Sequence, residues 1–319
     1  MTIDPQEGIP RPRATAWPQE DPDDAEDKTI ADLTADDIVI AVMGVTGVGK
    51  SEFITHFNPK PTVGHTQQSQ TQEIEIYPAV NDAGGKFYLV DTPGFDDDKR
   101  TDTEVLRALT AWLDIAFKKG VRLSGMIYLH RILDPRLGGS AMQNLRMFRK
   151  LCGTDAYENV VLTTTMWARV EPEVGERRMR ELLDNKEYWG EMVKGGCKII
   201  KQADGKVAAN NIVNYLIARR KSTFLKIQEE MAAGMTLDQT DAGRVVEAER
   251  IEIIAKHTKE IKMLEKEKAE ALMEKDKASA EEIRKIVELE KAKVKAAEDE
   301  RDRMRVNSDQ LAQQQLIEL

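Results

Sequence analysis

Cysteine is scarce. The two present, Cys152 and Cys197, are too few for a disulfide framework and lack the spacing of metal ligands, so a reducing compartment is the expectation. No run of about 18 apolar residues occurs, which leaves no candidate integral membrane segment. The acidic N-terminus does not have the form of a signal peptide, and the C-terminal Leu-Ile-Glu-Leu offers no prenylation cysteine. A soluble cytoplasmic protein is therefore expected. Excess positive charge is missing too. The net charge is −9, of which residues 1–37 carry about −8 and residues 244–319 about −2, so the stretch between them is nearly neutral. That excludes a basic footprint, and no nucleic-acid partner is expected.

What is present is uneven. Residues 1–37 hold five prolines and the run Glu20-Asp-Pro-Asp-Asp-Ala-Glu-Asp27, with almost nothing to bury, and are predicted to be a disordered acidic tail. From Ile38 short β-rich runs (38–43, 74–77, 87–90, 125–130, 160–163, 198–200) alternate with helix-period segments (51–57, 103–118, 140–151, 176–183, 208–225). Alternation of this kind predicts an α/β domain over 38–225 with a mostly parallel sheet covered on both faces, followed by a linker over 226–243. From Arg244 to Arg305 proline and glycine are absent and Ala, Glu, Lys and Arg dominate, which predicts a long helix or weak coiled coil over 244–319. Ile261, Leu272, Ile283 and Val294 recur every eleven residues, favouring a straight or slightly right-handed association. The alternative is a solitary solvated helix held by Glu–Lys pairs.

The first apolar run leads directly into Gly44-Val-Thr-Gly-Val-Gly-Lys-Ser51 and then a helix, the GxxxxGK[ST] phosphate-binding loop in its strand–loop–helix setting. Its glycines let successive backbone N–H groups converge on phosphate oxygens, Lys50 would bridge the β- and γ-phosphates, and the Ser51 hydroxyl would coordinate Mg²⁺. The nucleotide-binding set read from this loop is Gly44, Thr46, Gly47, Val48, Gly49, Lys50, Ser51 and Glu52. Downstream, Lys86-Phe-Tyr-Leu-Val90 runs into Asp91-Thr-Pro-Gly94, where Asp91 would hold the Mg²⁺ shell and the Gly94 N–H would sense the γ-phosphate. The polar stretch 63–71 suits a ligand-ordered loop, and Thr71 is the candidate second hydroxyl on Mg²⁺, with Thr66 and Ser69 as alternatives.

These motifs, together with Ile127-Tyr-Leu-His-Arg-Ile132, Asn144-Leu-Arg-Met-Phe148, Thr164-Thr-Met-Trp167 and Val170–Gly175, resemble fungal G-domain proteins allied to septin-like and immunity-associated GTPases and to the chloroplast import receptors. The resemblance covers about Ile38 to Gly243. It implies a three-layer P-loop NTPase fold (G domain) that binds GTP or GDP with Mg²⁺. It also implies homodimerisation across the nucleotide face as a control of hydrolysis, and the C-terminal helix is a second possible route to a homodimer.

The sequence departs from the family in two places. The stretch that usually reads guanine is Thr165-Met-Trp-Ala168, with alanine where an aspartate would accept two hydrogen bonds from the base, so weakened guanine selectivity is expected. Thr165 and Trp167 remain candidates beside the base, with Trp167 read first as a packing residue, there or in the core. After DTPG stands Phe95 followed by three aspartates, where many GTPases carry a water-orienting glutamine, so unaided hydrolysis should be slow. His130 and Arg131 are polar candidates at the nucleotide edge. Arg131 is the choice for a catalytic charge supplied by a second copy, and His130 has a structural role as its alternative. The function expected is a GTP-binding switch with slow Mg²⁺-dependent hydrolysis and an unidentified protein partner. The alternative is a septin-like scaffold with little hydrolysis. A small-molecule kinase would need an arginine-rich lid, and Glu176-Arg-Arg-Met-Arg180 reads instead as a solvated helix face.

Overall fold

The computed structural model describes residues 29–59, 74–94, 100–135, 137–219, 222–273 and 277–318. Six strands form one sheet in the order β2-β3-β1-β4-β5-β6: β1 Val39–Met43, β2 Glu75–Val80, β3 Lys86–Asp91, β4 Leu123–Arg131, β5 Val160–Thr165 and β6 Lys198–Lys201. Only β2 is antiparallel to its neighbour; the remaining pairs are parallel, joined by helical crossovers. The alternation of β1 divides the core. Val39, Ala41 and Met43 face one side, under α2 (Asp102–Lys118), α3 (Gly139–Cys152) and α4 (Pro172–Asp184). Ile40 and Val42 face the other, under α1 (Lys50–Thr55) and α6 (Lys206–Arg219), with the short α5 (Glu191–Lys194) preceding β6. This is the expected three-layer P-loop GTPase fold.

Four expectations about the flanking regions are corrected. Residues 29–37, assigned above to the tail, form two side-chain-capped turns that bury Ile30 and Leu33 in the core. The segment 226–243 is not a linker. It holds α7 (Lys226–Ala232) and a single 3-10 turn at Leu237–Gln239, with Ile227, Met231, Leu237 and Ala242 buried. The single long helix is three: α8 (Asp241–Met273), α9 (Lys277–Arg303) and α10 (Ser308–Glu318). The eleven-residue stripe is not the buried seam, since Leu272 is 53% exposed while Ala280, Val287, Glu290 and Ala297 are buried at three- and seven-residue spacing. A pattern built on large aliphatics misses a seam filled by alanine and paired polar side chains.

α8 and α9 pack as an antiparallel hairpin, crosslinked by His257–Glu290, Arg250–Glu300 at 3.2 Å and Arg301–Glu247 at 2.7 Å. After the hairpin the chain returns to the core, where Met304, Val306 and Leu311 are buried, and the Leu237 N–H donates to the Val306 carbonyl at 2.9 Å. The reason lies in α2. Thr101 and Glu104 start it with a reciprocal capping box, and its run Val105–Phe117 is apolar nearly all round, so the sheet alone cannot bury it. α10 and the end of α9 cover the outer face: Ser308 Oγ donates to Asp114 at 2.6 Å, Thr103 Oγ1 donates to Glu300 at 3.3 Å, and Arg107 donates to the Arg303 carbonyl.

Candidate nucleotide site

The ends of β1 and β3 and the start of α1 meet where the chain leaves β1 in opposite directions across the sheet, the crevice in which open α/β sheets bind ligands. The loop from Gly44 to Gly49 is shaped by glycines at φ 144°, 76° and 95° (Gly44, Gly47 and Gly49), a left-handed backbone that L side chains resist. At Gly44 space is closed as well, since a Cβ there would lie 2.5 Å from the Leu129 carbonyl oxygen. Val48 is fully buried, so it offers only backbone to the site.

Lys50 is buried at 7% exposure, and its Nζ donates to the carbonyls of Gly44 (3.1 Å) and Val45 (3.2 Å), curling the ammonium back over its own loop. A cation held by neutral carbonyls in a glycine cradle suits a polyphosphate. Ser51 Oγ donates to Asp91 Oδ2 at 2.9 Å. A hydroxyl and a carboxylate, two hard oxygen donors, converge there, and this set fits Mg²⁺, which takes few protein ligands. Thr92 Oγ1 latches the following turn to the Val42 carbonyl at 2.9 Å. Gly94 sits against Thr46 so closely that a Cβ would lie 2.8 Å from the Thr46 backbone nitrogen. The DTPG turn and the phosphate loop thus touch at a point where only glycine fits. Glu52 carries its carboxylate beside Gly49.

Arg131 lies along the same loop. Its guanidinium is 3.6 Å from where a Gly47 Cβ would be, and it is held by Asp134 at 2.9 Å. Asp134 was missed in the sequence, although an acid three residues after a candidate arginine was a usable signal. Thr165 and Trp167 reach the site's edge with their side chains engaged in bracing. Thr165 Oγ1 donates to the Val48 carbonyl at 2.9 Å, tying β5 to the phosphate loop. Trp167 Nε1 donates to Thr164, Lys201 lies 4.7 Å from the ring centre, and Gly175 of α4 leaves room for the ring. Between them Met166 has φ 63°, the one non-glycine residue with positive φ among those described, and it turns the chain so that Ala168 is exposed. His130, considered above for the nucleotide edge, instead belongs to the core. It is 5% exposed, edge-on to Trp189 at 6.1 Å, and burial pushes its pKa down to about 4. Thr71, Thr66, Ser69 and Phe95 lie outside the described residues. No cluster of His, Cys, Asp and Glu that could hold a further metal occurs among the described residues.

The loop, the aspartate ending β3 and the sheet order define a P-loop domain of the GTPase type. Residues 39–123 match the family described as 50S ribosome-binding GTPase. The chain is similar in structure to Toc33 from Arabidopsis thaliana in complex with Mg²⁺ and GMPPNP, at 14% identity and TM-score 0.45, over 58% of this chain and 87% of that one. A dimerisation-deficient mutant of Toc33 is similar at 14% identity and TM-score 0.46, over 58% and 86%. Translation elongation factor SelB from Methanococcus maripaludis, in complex with the GTP analogue GppNHp, is similar at 11% identity and TM-score 0.37, over 61% of this chain and 36% of that one. No curated protein matches the sequence. No helix among the described residues is long and apolar enough to cross a membrane.

Proposed function

We propose that the chain is a guanine-nucleotide switch. It binds GTP and GDP with Mg²⁺ at Gly44–Ser51, hydrolyses GTP slowly when alone, and hydrolyses faster when two G domains pair or a protein partner docks. The observation that carries the reading is the convergence of Lys50, Ser51 and Asp91 at one glycine-shaped loop. In this reading Ser51, Asp91 and Thr71 hold the metal, Lys50 and the loop N–H groups neutralise the phosphates, and the Gly94 N–H senses the third phosphate. Arg131 supplies positive charge to the nucleotide of a second copy when two G domains pair. Bound Mg²⁺ would neutralise charge on the phosphate oxygens. The long exposed hairpin favours a second reading, a nucleotide-dependent scaffold of septin-like character with little hydrolysis. Calorimetry of the full chain with GTP, GDP, ATP and ADP, with and without Mg²⁺, tests nucleotide binding. Lys50→Ala should lose at least about a hundredfold in affinity while the circular dichroism spectrum stays unchanged. A folded Lys50→Ala protein that binds GTP as tightly as wild type overturns the reading.

A further inference from the structure

One face of the α8–α9 hairpin is built to receive another hairpin. The crosslinks Arg250–Glu300, Arg301–Glu247 and His257–Glu290 set the antiparallel register, which brings Met263 level with Ile286 and Glu260 level with Leu289. At about 100° per residue, Met263 stands one step before the buried Leu264, while Ile286 and Leu289 stand one step before the buried Val287 and Glu290. Because the helices run in opposite directions, those offsets turn all three side chains to the same face. They are 53%, 44% and 64% exposed, an apolar patch near the middle of the hairpin, apart from Ile251 toward its base and Leu272 and Met273 at its tip.

The charges on that face are ordered. Toward the hairpin tip the patch is followed by Glu267 and Glu270 on α8 and Glu282 on α9, all exposed. Toward the base it is followed by Lys256 on α8 and Lys293 on α9, also exposed, Lys293 paired with Glu290 of its own helix at 2.6 Å; Glu252 lies one turn beyond Lys256, and Glu260 stands beside the patch itself. The acids and the lysines lie about equally far from the patch centre, near position 262. A two-fold axis in the plane of the face, crossing the helices at that level, lays α8 on its own copy and α9 on its own copy with directions reversed. Lys256 then meets the other copy's Glu267, Lys293 meets its Glu282, Ile286 meets its Leu289, and Met263 falls beside its Glu260, within one helical turn of its Met263. A parallel arrangement would stack lysine on lysine and glutamate on glutamate.

We propose that this face binds the same face of a second copy of the chain, antiparallel, forming a four-helix bundle with the two G domains at opposite ends. The proposal extends self-association beyond the nucleotide face and does not rest on nucleotide binding. Pairing of G domains through the nucleotide face as well would give each chain two independent two-fold interfaces, and such chains join into open linear assemblies.

The test is sedimentation equilibrium of the full chain without nucleotide, up to about 100 µM. Wild type should dimerise, and Leu289→Asp with Ile286→Asp should be monomeric across the range. Lys256→Glu should weaken the dimer by at least about tenfold, and adding Glu267→Lys to it should restore the affinity. A spin label on Met273→Cys, with both native thiols buried, fixes the orientation. The antiparallel bundle separates the two labels by roughly 33 Å along the axis, whereas a parallel one brings them within roughly 15 Å. A monomeric wild type, an unaffected Lys256→Glu variant, or adjacent labels overturns the proposal. Lys50→Ala provides the control that separates this interface from the nucleotide site: its dimer should be unchanged, and loss of the dimer in that variant overturns the proposal as well.

Discussion

Ser51 and Asp91, forty positions apart in the chain, are hydrogen-bonded at 2.9 Å between the first turn of α1 and the end of β3. The pair joins the phosphate loop to the DTPG turn at one point, and the close approach of Gly94 to Thr46 joins them at a second. The proposed switch needs such a link between the two loops, and α2 begins at Asp102, further along the chain.

Ala168 is exposed at the turn that Met166 creates, where an aspartate would be free to meet a base. Ala168→Asp should raise the preference for GTP over ATP by about tenfold or more, since sites that pair with a hydrogen-bonding edge reject its analogues strongly. Competition calorimetry reads the ratio. An unchanged ratio, with GTP already far ahead of ATP in wild type, means that another group reads the base.

Hydrolysis per molecule should rise as protein concentration goes from nanomolar to tens of micromolar, because Phe95 cannot orient water and the site must borrow both a positioned water and a charge. Arg131→Ala should remove most of that rise, an effect that can reach about 10³-fold for a supplied arginine. The geometry adds one expectation. Because Arg131 sits beside Gly47 of its own chain and is held by Asp134, Asp134→Asn should also alter turnover. A specific activity flat with concentration and equal in all three proteins would remove self-activation.

Removal of residues 304–319 should destabilise the G domain itself. Met304, Val306 and Leu311 are buried, and their loss would expose the outer face of α2 at a cost on the order of 5 kcal/mol. The melting temperature should fall by at least about 10 °C, or the protein should become insoluble. A truncated protein with unchanged melting would show that the cover over α2 contributes nothing to the domain's stability.

Stability should fall with acidification through His130. Its pKa is about 4 in the folded chain against an ordinary value of 6.5, so the unfolded chain binds the proton more tightly. The stabilisation is fully present above about pH 6.5 and is lost progressively as pH falls toward 4, with a magnitude of about 3 kcal/mol. Melting curves from pH 7 to pH 4 should be flatter for His130→Phe than for wild type. Parallel curves would assign the acid sensitivity to other groups.

The phosphate loop, Asp91, Gly94 and the α/β alternation could be read directly in the residues because each depends on local chemistry. Glycines must supply positive φ, a strand must end where the loop begins, and period-2 and period-3.6 patterns report burial along a single element. What the residues alone could not decide depended on contacts between distant elements. His130 is core rather than catalytic because Trp189 lies edge-on to it. Thr165 and Trp167 are braces because Val48 and Thr164 present acceptors to them, and Arg131 is drawn to the loop by Asp134. The fate of the C-terminal third turned on α2. From the sequence that helix reads only as one layer on the sheet, and only the folded chain shows the end of α9 and α10 returning to cover its outer face. Spacing within one helix states which face is apolar; what covers that face is set by the packing of elements up to two hundred residues apart.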